Sequence, residues 1–194
     1  MKSPKVSRSK AGLGALALMA LILLSTFLWI NSVSSATGPT QWTLVASTAA
    51  VDESYQNVYD TNGPYMQFRS TNIGGLYARA TVLCPKDDGN VFWNRMEVVF
   101  KDRDGTSTMY RVMVSLYRVK TEAPSLGVST LIASFDSNSV GASTATASVQ
   151  FGVKDFSTAW DWWNYAYYVQ IYLYRGNSTY NPAIYSVRLV ETIF

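Results

Sequence analysis

Apolar and polar side chains alternate at every second position from Gln41 onward, and this constrains the chain more than any other feature of it. A strand turns successive side chains to opposite faces, so a period of two marks a ribbon with one buried face. Val112, Val114 and Leu116 alternate with Arg111, Met113, Ser115 and Tyr117. Tyr167, Val169, Ile171 and Leu173 alternate with Tyr168, Gln170, Tyr172 and Tyr174. Tyr185, Val187, Leu189 and Ile193 do so with Ser186, Arg188, Val190 and Thr192, and Ala145, Ala147, Val149 and Phe151 with Thr144, Thr146, Ser148 and Gln150. Leu76, Ala78, Ala80 and Val82 form one face of a further strand, and Met96, Val98 and Phe100 one face of another. Gly, Asn and Asp clusters separate these runs: 60–63, 87–90, 102–105 and 175–177. Such clusters are what tight turns require.

The pattern predicts about nine strands, near 41–47, 64–69, 76–84, 91–101, 108–120, 128–135, 143–152, 164–174 and 183–194. Ser157 to Asn164 has room for one helical turn. Many short strands with one buried face each imply an all-β fold, an antiparallel β-sandwich of jelly-roll or immunoglobulin-like type. No internal repeat is evident.

A single N-terminal hydrophobic helix is expected ahead of this domain. Lys2, Lys5, Arg8 and Lys10 precede an uncharged stretch, Ala11 to Ile30. Twenty residues at helical rise span about 30 Å, the thickness of a hydrocarbon core. The basic flank keeps Met1 in the cytoplasm and sends the remainder across the membrane. Residues 1–36 read as an uncleaved transmembrane anchor, as a signal peptide cut near Ala36, or as a pilin-type leader, although the last lacks the Glu usual at the start of a pilin helix. Each puts 37–194 outside the cytoplasm, in the cell envelope or secreted. Asn31 to Gln41 is a small, polar connector.

The segments CPKDDGNVFWNRMEVVFKDRDGT, VSLYRVKTEAPSLGVSTLIASFDSN, NYAYYVQIYLYR and NPAIYSVRL resemble those of a loose group of uncharacterised exported bacterial proteins over about residues 80–194. The resemblance implies an extracytoplasmic β-sandwich and assigns no activity to any residue.

Several functions are excluded by residue type. The chain has no histidine, which removes Ser-His-Asp, Cys-His and His-ligated metal sites together. A single cysteine, Cys84, can form neither an intrachain disulfide nor a thiolate cluster, and its place at a strand end suits a small core residue or a link between chains. From Thr37 onward twelve basic residues face thirteen acidic ones, so the folded part offers no basic stripe for nucleic acid. No cofactor motif is present.

The remaining polar candidates have ordinary structural readings. Asp102-x-Asp104-Gly105 resembles the opening of a calcium loop, yet no bidentate Glu follows at the required distance, and the same residues make a plain turn. Asp155, Asp161, Glu97 and Glu191 are the acids that a glycosidase pair would need, but as solvated or paired acids they need no catalytic role. Asn177-Ser178-Thr179 is a glycosylation sequon.

The aromatic concentration is the informative feature. Trp160, Trp162, Trp163, Tyr168, Tyr172 and Tyr174 fall within fifteen residues, and the three tyrosines share the strand face opposite Val169 and Ile171. Rings with polar tips suit a protein partner or self-association, or stacking on carbohydrate, or the membrane interface beside the N-terminal helix. The expectation is a non-enzymatic envelope subunit that docks protein through these rings. The alternatives are a carbohydrate-binding module using the same rings, or a pilin-like filament subunit.

Overall fold

The computed structural model describes residues 40–61, 63–85, 90–105, 107–140 and 149–192. The expected anchor, the leader cleavage site and most of the connector lie outside the described residues. No helix among the described residues is long and apolar enough to cross a membrane.

Eleven strands are present among the described residues: β1 (Gln41–Val45), β2 (Ala50–Val51), β3 (Tyr59–Asp60), β4 (Met66–Phe68), β5 (Gly74–Val82), β6 (Arg95–Lys101), β7 (Tyr110–Lys120), β8 (Ser129–Asp136), β9 (Gln150–Asp155), β10 (Tyr165–Arg175) and β11 (Ala183–Val190). They form two antiparallel sheets, as expected for an all-β sandwich. The five-stranded sheet runs β2-β5-β10-β7-β8. The six-stranded sheet runs β3-β4-β11-β6-β9, with β1 also paired to β11. β1 pairs with residues 186–190 and β4 with Ala183 and Ile184, so the two strands share one side of β11 end to end.

The core is built from the faces that the alternation marked. Leu76 and Ala78 of β5, Val169, Ile171 and Leu173 of β10, and Val112, Val114 and Leu116 of β7 are at most 1% exposed. Across from them lie Met96, Val98 and Phe100 of β6, Val187 and Leu189 of β11, and Met66 and Phe68 of β4, all fully buried. Each of these side chains other than the methyl of Ala78 contributes about 1.5–3 kcal/mol relative to an exposed one. The Phe100 and Phe135 rings, on β6 and β8, stand 5.2 Å apart.

The alternation misleads at two strands. At β9 and the residue before it, the sequence puts Val149 and Phe151 on the buried face. They are instead 48% and 56% exposed, and Gly152 points inward. A Cβ on Gly152 would lie 2.2 Å from Cε2 of Phe135, so the glycine is the space into which that ring packs. The buried position carries no side chain, and this hid the true phase of the strand. On β11 the register shifts between Ile184 and Ser186, which inserts Tyr185 as an extra residue. A bulge reverses the phase on its two sides. Ile184 is therefore buried, and Tyr185 packs against Tyr65 at 5.3 Å rather than facing inward with Val187. Residues 157–160 are extended, and the chain then makes a single helical turn that is not continued, the Tyr165 N–H donating to the Asp161 carbonyl at 3.1 Å. Further short helical turns occur as 3-10 turns at Ala46–Thr48, Glu53–Tyr55 and Ser137–Ser139.

Polar clasps fasten both ends of the sandwich. At the end of β10, Arg175 is 4% exposed and donates to the carbonyls of Tyr180 and Ser70 at 2.7 Å, Ser178 at 2.8 Å and Asn72 at 3.1 Å. A buried guanidinium is tolerated there because its donors are met by backbone acceptors. At the other end, Trp93 is 1% exposed and its indole N–H donates to the Thr40 carbonyl at 2.8 Å.

Candidate functional site

The outer face of the five-stranded sheet carries side chains in cross-strand rows, fixed by the pairing of β10 with both β5 and β7. Tyr172 is opposite Tyr77 on β5 and Met113 on β7. Two residues along, Gln170 is opposite Arg79 and Ser115, and those rows extend to Ala50 on β2 and Ser134 on β8. Two residues further, Tyr168 is opposite Thr81 and Tyr117. The outcome is a polar row between two tyrosine rows, with about 13 Å of strand between Tyr168 and Tyr172.

The rings in each row touch. Tyr77 and Tyr172 have centroids 4.6 Å apart, Tyr55 joins Tyr77 at 6.2 Å, and Tyr174 stacks on Tyr172 at 6.5 Å. Burial among these neighbours pushes the Tyr172 hydroxyl above its ordinary value. Tyr168 stacks on Tyr117 at 5.1 Å with planes only 13° apart. Gly75 makes room for the first group: a Cβ there would come within 2.9 Å of Cε2 of Tyr172. In the polar row the Ser115 and Ser134 hydroxyls bond each other at 3.0 Å. Beside the first tyrosine row, Arg111 chelates Asp136 through its Nε at 3.0 and 3.1 Å and through its terminal nitrogen. That ion pair holds the Asp136 carboxyl below its usual range.

Two shallow depressions open on this face. One, of about 470 Å³, is lined by Arg79, Thr81, Ser129 and Tyr168, with Ala50, Ala80, Val119 and Gly127 as its apolar part. The other, of about 350 Å³, is bounded by Asp52, Glu53, Tyr77 and Arg79. Ala50 and Arg79 belong to both.

The six aromatic residues singled out in the sequence are therefore divided. Tyr168, Tyr172 and Tyr174 lie in the outward row. Trp160 and Trp162 do not join them. Both fold against the core edge, stacked on each other at 5.4 Å and set edge-on to Trp93 at 5.2 and 6.4 Å. Both rings also pack on Tyr167, at 4.7 and 4.6 Å, and Trp160 Nε1 donates to the Trp93 carbonyl at 3.0 Å. They cap the open end of the sandwich, where the β10 and β6 strands begin and apolar surface would otherwise meet water. Trp163 stands apart at 91% exposed, in a turn held by its N–H to Asp161 at 3.2 Å. Tyr77, Tyr117 and Arg79, which complete the face, were not singled out. Their outward parity was readable on β5 and β7, but only the register brings them beside Tyr172, Tyr168 and Gln170.

Three of the four acids singled out in the sequence, Asp155, Glu97 and Asp161, hold structural positions. Arg95 bonds Asp155 at 2.6 Å, Arg188 faces Glu97 at 3.3 Å, and the Asp161 carboxylate accepts from the Asn164 amide at 2.8 Å. The Asp155 and Asp161 carboxyls are held below their ordinary range, chiefly by those hydrogen bonds. Asp102 is turned inward at 1% exposed, accepts from the Ser137 hydroxyl at 2.5 Å, and is pushed up to about 7, first by burial. In the same turn the Asp104 N–H reaches Asp102 Oδ1 at 3.3 Å, so the Asp-x-Asp-Gly segment is tied into the fold. Among the described residues no group of three or more Cys, Asp or Glu is placed to hold a metal ion. Cys84 is half-buried and packs against the core. The Asn177 side chain accepts from Thr179 N–H at 2.9 Å and from the Tyr110 hydroxyl.

No family model matches the chain, and no curated protein matches it. Among solved structures, a "xylan-binding module CBM15" is similar at 13% identity, covering 80% of this chain and 98% of that one, with a TM-score of 0.44. A second is the carbohydrate-binding module of "Structural and thermodynamic dissection of specific mannan recognition by a carbohydrate-binding module, TmCBM27". It is 8% identical and covers 79% of this chain and 89% of that one, with a TM-score of 0.34. Neither score reaches the level at which two folds are counted the same.

Proposed function

We propose that this chain is a non-catalytic carbohydrate-binding protein that lays an oligosaccharide across the outer face of the five-stranded sheet. The observation that carries the reading is the order of the rows: tyrosines, then Arg79, Gln170, Ser115 and Ser134, then tyrosines again. A pyranose ring offers apolar C–H faces and a rim of hydroxyls. Aromatic rings meet the faces, and polar side chains between them meet the hydroxyls. A protein-docking patch has the opposite order, with a dry centre and a polar rim. Here the polar groups are central.

The test is an array of oligosaccharides probed with the full-length chain and with Tyr168→Ala. We expect a defined set of binders, with affinity reduced about tenfold in the variant. Absence of any binder, or binding unchanged by Tyr168→Ala, refutes the reading.

A second reading, contact with a protein or with another copy of the chain, is favoured by one separate observation. Trp163, Leu126, Val128 and Leu131 are 91%, 69%, 58% and 52% exposed. Sedimentation of wild-type and Trp163→Ala chains distinguishes the two readings. The basic and apolar segments of residues 1–36 support placing the domain outside the cytoplasm, and intact mass with cell fractionation tests that placement.

A further inference from the structure

Three features compete for a role beyond the one just argued: the exposed apolar side of β9, the buried Asp102 turn, and the unengaged arginine on the five-stranded sheet. The β9 side, with Phe151 and Val153 exposed, has nothing in the structure to say what would cover it. The Asp102 carboxyl already has its partners, the Asp104 N–H of its own turn and the Ser137 hydroxyl of the 3-10 turn after β8. Arg79 does not share these defects.

Arg79 is exposed and lies in the polar row one strand in from the β2 edge, between the outward positions of Tyr77 and Thr81. Its cross-strand neighbour on β2 is Ala50, whose single methyl leaves the space beside the guanidinium open. No salt bridge or side-chain hydrogen bond engages it among the described residues. The other arginine on this face, Arg111, is occupied by Asp136. Desolvated arginines are normally paired, and a solvent-facing one between aromatic rings is free to form a two-pronged bond with a planar anion.

The two depressions differ in charge. Among the described residues Arg79 is the only charged one lining the larger depression, which also offers the Tyr168 ring and the Thr81 and Ser129 hydroxyls. The smaller one sets Asp52 and Glu53 beside Arg79. The Asp52 carboxylate is already bonded by Ser54, through its N–H at 3.2 Å and its hydroxyl at 2.9 Å, and Arg79 acts on it only at longer range. An anion is thus favoured over the larger depression and repelled from the smaller.

We infer that the bound sugar is anionic, and that Arg79 holds the carboxylate or sulfate of a unit seated in the depression beside Tyr168, with neutral units running toward Tyr77 and Tyr172. The inference rests on the carbohydrate reading above and adds the ligand's charge and direction. Its chemistry, a planar or tetrahedral oxyanion on a pyranose, is shared by uronic acids and sulfated sugars.

The experiment uses full-length chain on an array carrying neutral oligosaccharides of glucose, xylose, mannose and galactose, with uronic-acid and sulfated counterparts on the same backbones. The expected result is a preference of about tenfold for the anionic member of a matched pair. It should shrink as ionic strength rises, because an exposed charge pair is screened over about 10 Å at 0.1 M salt. Arg79→Gln should bring the pair to parity by lowering the affinity of the anionic member about tenfold more than that of the neutral one, and Arg79→Lys should keep only part of the preference. Which arm binds, uronate or sulfate, identifies the anion. Equal affinity within matched pairs, or a preference that survives Arg79→Gln, overturns this inference and leaves the carbohydrate reading intact. An array with no binder at all overturns both.

Discussion

The tryptophan turn and the tyrosine row are continuous in the chain, yet they end on opposite sides of the same sheet. Trp160 and Trp162 wrap around Trp93 and Tyr167 and close the end of the core. A few residues later Tyr168 and Tyr172 stand on the outer face, stacked only on other tyrosines. The crossover is at Tyr167 and Tyr168. Tyr167 points inward and is 1% exposed, and its hydroxyl accepts the Asp161 N–H at 2.7 Å, while the next residue points out. Aromatic density alone therefore does not mark a binding surface. One half of it is the lid of the core, and the other half is available to a ligand.

Substitutions on the two sides should separate stability from binding. The largest effect is expected at Trp93, where Trp93→Ala removes the ring on which the lid packs and should cost about 3–5 kcal/mol in urea denaturation. A cost below about 1 kcal/mol would mean that the tryptophan turn is not part of the core.

A second break concerns a group turned inward at the opposite end. The Asp102 carboxyl is raised from 3.8 to about 7, so between those values the folded chain keeps a proton that the unfolded chain has released. Its contribution is full below about pH 4 and is lost as pH rises through about 7, amounting to at most about 4 kcal/mol. Asp102→Asn should flatten that part of the stability profile. An identical slope in wild type and variant would assign the ionisation to another group.

Tyr167→Phe leaves the ring in place and strands the Asp161 N–H, which should cost about 1–2 kcal/mol with sugar affinity unchanged. Gly75→Ala reverses this pattern. Its methyl would displace the Tyr172 ring, so affinity should fall several-fold while stability moves by less than about 1 kcal/mol. If Gly75→Ala leaves binding intact, Tyr172 is not part of the face that meets the ligand. The smallest effect is expected at Trp163→Ala, within about 0.5 kcal/mol in stability and with no change in sugar binding. A loss of self-association in that variant would instead support a protein contact there.

Much of the architecture was legible because burial imposes its own period on the sequence. The inward faces of β5, β6, β7 and β10 could be read from Leu76, Met96, Val112 and Val169 and their alternate neighbours. The reading failed where the inward residue was Gly152, which has no side chain to signal its place, and where Tyr185 was inserted as a bulge. The candidate site was half legible. Tyr168, Tyr172 and Tyr174 share one strand, and their common side follows from counting. Tyr77, Tyr117 and Arg79 belong to other strands, and no local pattern states which residue of one strand will face which residue of another.

The sequence by itself determined that the described domain is built of strands, which side of most strands is buried, and that histidine chemistry is absent. Those properties follow from residue type and from a period that each strand carries alone. Only the tertiary structure decided that the tryptophans turn inward, that Arg79 stands unengaged between two groups of tyrosines, and that β10 lies between β5 and β7. Register and strand order come from the packing of two whole sheets, and that is a sum over contacts distant in the chain.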